Sequence, residues 1–276
     1  MIRAAALPWR PARPLLAALA LGGALALTGC KTTTTVSTVS DTTQTGAANA
    51  EADPHKRAAV RLQLAAGYYQ KGEADIAIKE AKDAANLDPG LAGAYGLLGL
   101  IYMDMDRNDQ ADDNFRHALR LDPDNPDLNN NYGWFLCRTH HERDALTYFD
   151  RAADNRQYTT PAMALQNAGI CLMQVGDTER AEKYLMRAFQ DDASSPVAKF
   201  QLARLYLKTH RIDRAEFYYD LLGKGVEPNS QMLWLGIRIA HAKPDPRLQH
   251  RLSEELRSRF PNSPEVNLLN REAFDE

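Results

Sequence analysis

Several groups of residues have the types and spacing to do chemistry. Asp104-Met105-Asp106-Arg107-Asn108-Asp109 spaces its carboxylates like a calcium loop, in which oxygen ligands recur at alternate positions. Such a loop needs Gly at its sixth position and a bidentate Glu at its twelfth; here those places hold Asp109 and Phe115. A solvated polar turn is the expected reading. His140-His141-Glu142 offers imidazole nitrogens to a metal, but no Cys or carboxylate recurs beside it at ligand spacing. The chain has no G-x-S-x-G elbow, no phosphate-cradling Gly loop and no helical H-E-x-x-H. The sequence therefore predicts no metal, no cofactor and no catalytic group. A formal net charge of −3 also lacks the basic footprint of a nucleic-acid binder.

Cys30 stands in a different setting. Arg3, Arg10 and Arg13 form a basic stretch ahead of an apolar run from Leu15 to Leu27. That run is shorter than the ~20 residues of a spanning helix and suits a secretory signal over residues 1–29. It closes on Leu27-Thr28-Gly29-Cys30, which resembles the lipobox of bacterial lipoproteins. The resemblance implies cleavage before Cys30 and acylation of its thiol, with the membrane held through the lipid. Lys31 follows, rather than the Asp that retains such proteins in the inner membrane, so the resemblance points to the outer membrane, periplasmic face. Residues 30–55, rich in Thr, Ser and Ala, cannot bury enough surface to fold and read as a flexible tether. As a coil its reach is on the order of 25–30 Å.

The elements that position everything else are repeats. Tyr95-x-x-Leu98-Gly99-x-x-Tyr102, then Ala111-x-x-x-Phe115, Ala118 and Pro123 match the tetratricopeptide (TPR) pattern, whose period is about 34 residues. Sliding that frame gives units starting near residues 58, 92, 126, 162, 196 and 229, the last degenerate. The fourth arrives two residues late. Small residues at the eighth and twentieth positions (Gly99 and Ala111 in the second unit) let helices A and B approach. Large apolar residues at the fourth, seventh, eleventh and twenty-fourth fill the space between. Asp88-Pro89 and Asp122-Pro123 end B helices. The expected fold is all-α: a solenoid of about six helix-turn-helix repeats over residues 56–260, wound as a right-handed superhelix. The polar B helix of the last unit (Arg251, Glu254, Glu255, Arg257) reads as a cap, and residues 261–276 as a short extra segment, the C-terminal tail, with frayed ends.

This frame sets Cys137 and Cys171 on neighbouring A helices. In an oxidising compartment a disulfide between them is one expectation; two small buried apolar residues are the other. A TPR groove is lined by helix A positions two, five, nine, twelve and thirteen, which here include Tyr69, Leu100, Met103, Asn130 and Trp134. Leu100, Met103 and Trp134 are apolar where packing does not require it, as at a partner site.

A lipobox, a tether and a TPR array, with Asn130-Asn131-Tyr132-Gly133-Trp134-Phe135-Leu136-Cys137 and Leu235-Gly236-Ile237-Arg238-Ile239-Ala240, resemble the type IV pilus biogenesis and stability lipoproteins of the PilF/PilW group. The resemblance implies a pilotin that binds a segment of the pilus secretin subunit in its N-terminal groove and promotes secretin localisation and assembly. A monomer is expected. The alternative is a lipid-anchored periplasmic scaffold for peptidoglycan enzymes. An enzyme that merely carries repeats is the weaker third reading, since the repeats consume residues 58–260 and leave no room for a second domain.

Overall fold

The computed structural model describes residues 53–275; the signal segment, the Leu27–Cys30 motif and residues 30–52 of the tether lie outside them. Thirteen helices and no strand are found among the described residues. They run in A–B pairs: α1 Pro54–Gln70 and α2 Ala74–Leu87; α3 Ala92–Asp104 and α4 Asn108–Leu121; α5 Pro126–Arg138 and α6 Glu142–Asp154. The array continues with α7 Pro161–Gln174 and α8 Thr178–Asp191; α9 Pro196–Lys208 and α10 Ile212–Gly223; α11 Ser230–Ala242 and α12 Pro246–Arg259; then a single short helix, α13 Pro264–Asn270. None is long and apolar enough to cross a membrane.

The helix starts are written locally. Asp53, Asn125, Ser195, Asn229, Asp245 and Ser263 each accept a hydrogen bond from a first-turn backbone N–H, satisfying a donor the helix leaves free. Most of these caps are followed by Pro at the first helical position, where its missing N–H costs nothing. The A–B turns of the first five units share one conformation. Gly72, Asp106, His140, Gly176 and His210 occupy the fifteenth position of successive units, and all have positive φ. Asp106 and His140, the residues that gave two sequence stretches the look of ligand sites, are thus left-handed helix terminators.

The core repeats with the same period. Ala77, Ala111, Ala145, Ala181 and Ala215, at the twentieth position, are all fully buried. A Cβ on Gly99 would lie 2.7 Å from the Phe115 ring, and one on Gly169 2.5 Å from Leu185. The eighth position of helix A is thus a slot for the twenty-fourth residue of helix B. In the first unit both places hold alanine, Ala65 and Ala81, so that pair has the thinnest core. The two-residue delay before the fourth unit is taken up by the α6–α7 loop. There Tyr158 turns inward against Ala152, Ala164 and Leu165, and Asn155 donates to the Asp124 carbonyl at 2.7 Å.

The C-terminal tail is a short extra segment, but its end is packed rather than frayed. α13 packs Val266 and Leu269 against Leu233, Trp234, Ile237, Leu252 and Leu256. Beyond it Phe274 stacks on His241 and Trp234, at centroid distances of 4.1 and 5.8 Å. Among the described residues no further repeat follows the last hairpin, and this segment covers it instead.

Candidate functional site

The A helices α1, α3, α5, α7, α9 and α11 stand side by side, and their register decides which residues are open. At position twelve, Met103 is 4% exposed, Cys137 1%, Met173 8% and Leu207 8%. This row is the packing line between neighbouring A helices, so Met103 does not belong to the open stripe on which it was expected. Asn130, at position five, is also buried: it is 3% exposed, and its Oδ1 accepts from Asn167 Nδ2 at 2.9 Å. A buried amide must be paired, and this one binds the third unit to the fourth rather than facing a partner.

Position nine is where the stripe opens. It carries Leu100 and Trp134, both half-buried, then Ile170 and Arg204. Position thirteen adds Asp104, Arg138, Gln174 and Lys208, all exposed. Sliding the same frame to the fourth and fifth units yields Ile170, Arg204 and Lys208, which a reading confined to the first three units misses.

The N-terminal half of this face is held in shape by a chain across three repeats. Tyr69 donates to Asp104 Oδ2 at 2.5 Å, and Arg138 Nη1 donates to Asp104 Oδ1 at 3.1 Å. Burial first, then the bond to Asp104, push the Tyr69 phenol well above its usual range, so it remains a neutral donor. Leu100 and Trp134 are the apolar groups left beside this polar chain.

Cys137 and Cys171 are joined as a disulfide, with Cα atoms 5.8 Å apart, inside the range such a bond requires. The bridge ties α5 to α7 behind the open face. Among the described residues no group of His, Cys, Asp and Glu is disposed to hold a metal ion.

Tetratricopeptide-repeat family patterns match residues 92–125, 114–147 and 172–230. A search of characterised proteins finds the type IV pilus assembly protein PilF of Pseudomonas aeruginosa, 28% identical over 202 residues, which are 73% of this chain and 80% of that one. The solved structure of PilW, described as a widely conserved type IV pilus biogenesis factor, is 32% identical. It superposes with a TM-score of 0.72 over 77% of this chain and 97% of its own. The solved Pseudomonas aeruginosa PilF is 26% identical, with a TM-score of 0.70 over 79% of this chain and 99% of its own. Identity and fold agree along nearly the whole length of the solved relatives, and the chain belongs to the PilF/PilW family of TPR proteins of type IV pilus biogenesis.

Proposed function

We propose that this protein is an outer-membrane lipoprotein, anchored on the periplasmic face through Cys30, that binds a segment of the pilus secretin subunit and promotes secretin localisation and assembly. The observation that carries the binding step is the apolar pair Leu100 and Trp134, left half-open at position nine on neighbouring A helices. An aromatic beside an aliphatic residue, on a face held rigid by Tyr69, Asp104 and Arg138, makes a pre-organised anchor for a polypeptide side chain. The reading assigns the protein no catalysis, and a monomer meets its needs.

The level and membrane location of heat-stable secretin multimers test it, in a deletion strain complemented with Cys30→Ala or with Leu100→Ala/Trp134→Ala. Loss of multimers in the groove variant, and mislocalised or lost multimers in the anchor variant, are expected. Unchanged multimers in the outer membrane would overturn the reading in favour of a periplasmic scaffold for peptidoglycan enzymes.

A further inference from the structure

The C-terminal half of the groove has a different chemistry. Arg204 projects from position nine of α9 and is exposed to water. Its guanidinium meets Gln201 Oε1 at 3.0 Å and lies 5.7 Å from the centre of the Phe200 ring. No acidic side chain pairs with it among the described residues. Arg238, on the next A helix, donates its Nε to the Phe274 carbonyl at 2.7 Å. Lys208, one turn beyond Arg204, donates to the Met173 carbonyl at 3.2 Å. Three cations therefore share this half of the groove, bonded only to neutral groups. In the N-terminal half, by contrast, Arg138 pairs with both Asp104 and Asp106.

Such an arrangement is costly to the free protein. Protein packed close around it, and next the charge of Arg238, pull Arg204 below the usual range of an arginine, although the residue keeps a face open to water. Crowding by protein likewise lowers Arg238, against which Asp275 acts favourably. Like charges brought together without an acidic partner repel, and a group of opposite sign relieves them. A planar guanidinium with free donors, set over an aromatic ring, is suited to a carboxylate.

We propose that Arg204 and Arg238, flanked by Lys208 and Phe200, form a second subsite of the groove that takes an acidic segment of a partner polypeptide. A chain lying along the A helices would then set apolar side chains against Leu100 and Trp134 and carboxylates against Arg204. This rests on the groove taking a polypeptide, but not on which pilus protein supplies it.

Fluorescence anisotropy with purified full chain tests the subsite. The probe is a short fluorescein-labelled peptide of alternating Glu and Phe, with its Gln/Phe counterpart as control. The Glu peptide binds and the Gln peptide binds at least about tenfold more weakly, the effect of losing a charge-assisted hydrogen bond. Arg204→Gln abolishes that preference while its melting temperature stays level or rises, because a crowded charge has been removed. Asp275→Asn, which lifts the competing charge of the chain's own tail, strengthens Glu-peptide binding. Equal binding of the two peptides, no binding, or an Arg204→Gln protein that melts lower would overturn the proposal. The last outcome would show that Arg204 serves the fold. Secretin multimers do not enter this test, so its failure and that of the pilotin reading are separable.

Discussion

Gly133 lies so close to Phe149 that a Cβ at that position would sit 2.9 Å from two ring carbons and 3.1 Å from the Ala145 carbonyl. The third hairpin is closed by this contact. Gly133→Ala gains about 1 kcal/mol of helix propensity but overpacks a buried ring, a cost of about 1–3 kcal/mol. The ring is flanked by backbone that cannot retreat. A net loss of about 1 kcal/mol is expected in urea unfolding. Gly67→Ala is the control: it also lies within a helix but has nothing within 4 Å of its Cβ position, and a gain of roughly 0.5–1 kcal/mol is expected.

The Cys137–Cys171 bridge closes a loop of 34 residues. By chain entropy alone, opening it costs about 3–4 kcal/mol. Cys137→Ser/Cys171→Ser, or reductant on the native protein, lowers the denaturant midpoint accordingly. Intact-mass measurement with and without alkylation reports whether the thiols are joined before the comparison.

The shared turn conformation carries its own prediction. His210 holds φ at +55° where the first and fourth units use Gly72 and Gly176. A side chain there costs about 1–2 kcal/mol relative to the right-handed region, partly offset by the extra chain entropy glycine loses on folding. His210→Gly raises stability by up to about 1 kcal/mol. Calorimetric melting of the two proteins decides it; an unchanged or lower melting temperature would count against the turn argument.

His55, in the first turn of α1, bonds Asp88 at the end of α2 at 2.8 Å. The hydrogen bond to Asp88 raises His55 above its ordinary 6.5, and the same bond first of all lowers Asp88 below 3.8. The histidine's contribution is complete below 6.5 and fades as pH climbs through its raised value. The aspartate's is present above 3.8 and fades as pH falls through its lowered one. The contact is therefore firmest in mildly acidic solution. Proton NMR titration of His55 gives a midpoint above 6.5 that returns to the ordinary value in Asp88→Asn.

Much of this fold is legible in the residues because the TPR pattern repeats one packing solution. Gly99, Gly133 and Gly169 each mark the slot for Phe115, Phe149 or Leu185, and a frame fixed on one unit transfers to the next. What the frame does not give is which groove positions stay open. Met103 and Asn130 look available on a helical wheel, but the neighbouring A helix covers them, a tertiary effect absent from any single unit. Arg204 lies in the fifth unit, beyond the three whose groove positions the sequence reading names, and only the approach of Arg238 from the next helix makes it a site. The ending was read only as a short segment, though its helix was legible. Ser263-Pro264-Glu265, ahead of Val266 and Leu269, is a cap, a first-turn proline and an apolar face, shortened to seven residues in α13.

The cover that α13 and Phe274 lay over the last hairpin also governs self-association. At the opposite end α1 presents Val60 and Leu64, 55% and 46% exposed, with no equivalent cover among the described residues. Head-to-tail stacking of repeats would need the last hairpin bare, and α13 and Phe274 cover it. Pairing of two copies through α1 against α1 would be isologous, a closed twofold that stops at two rather than a growing filament.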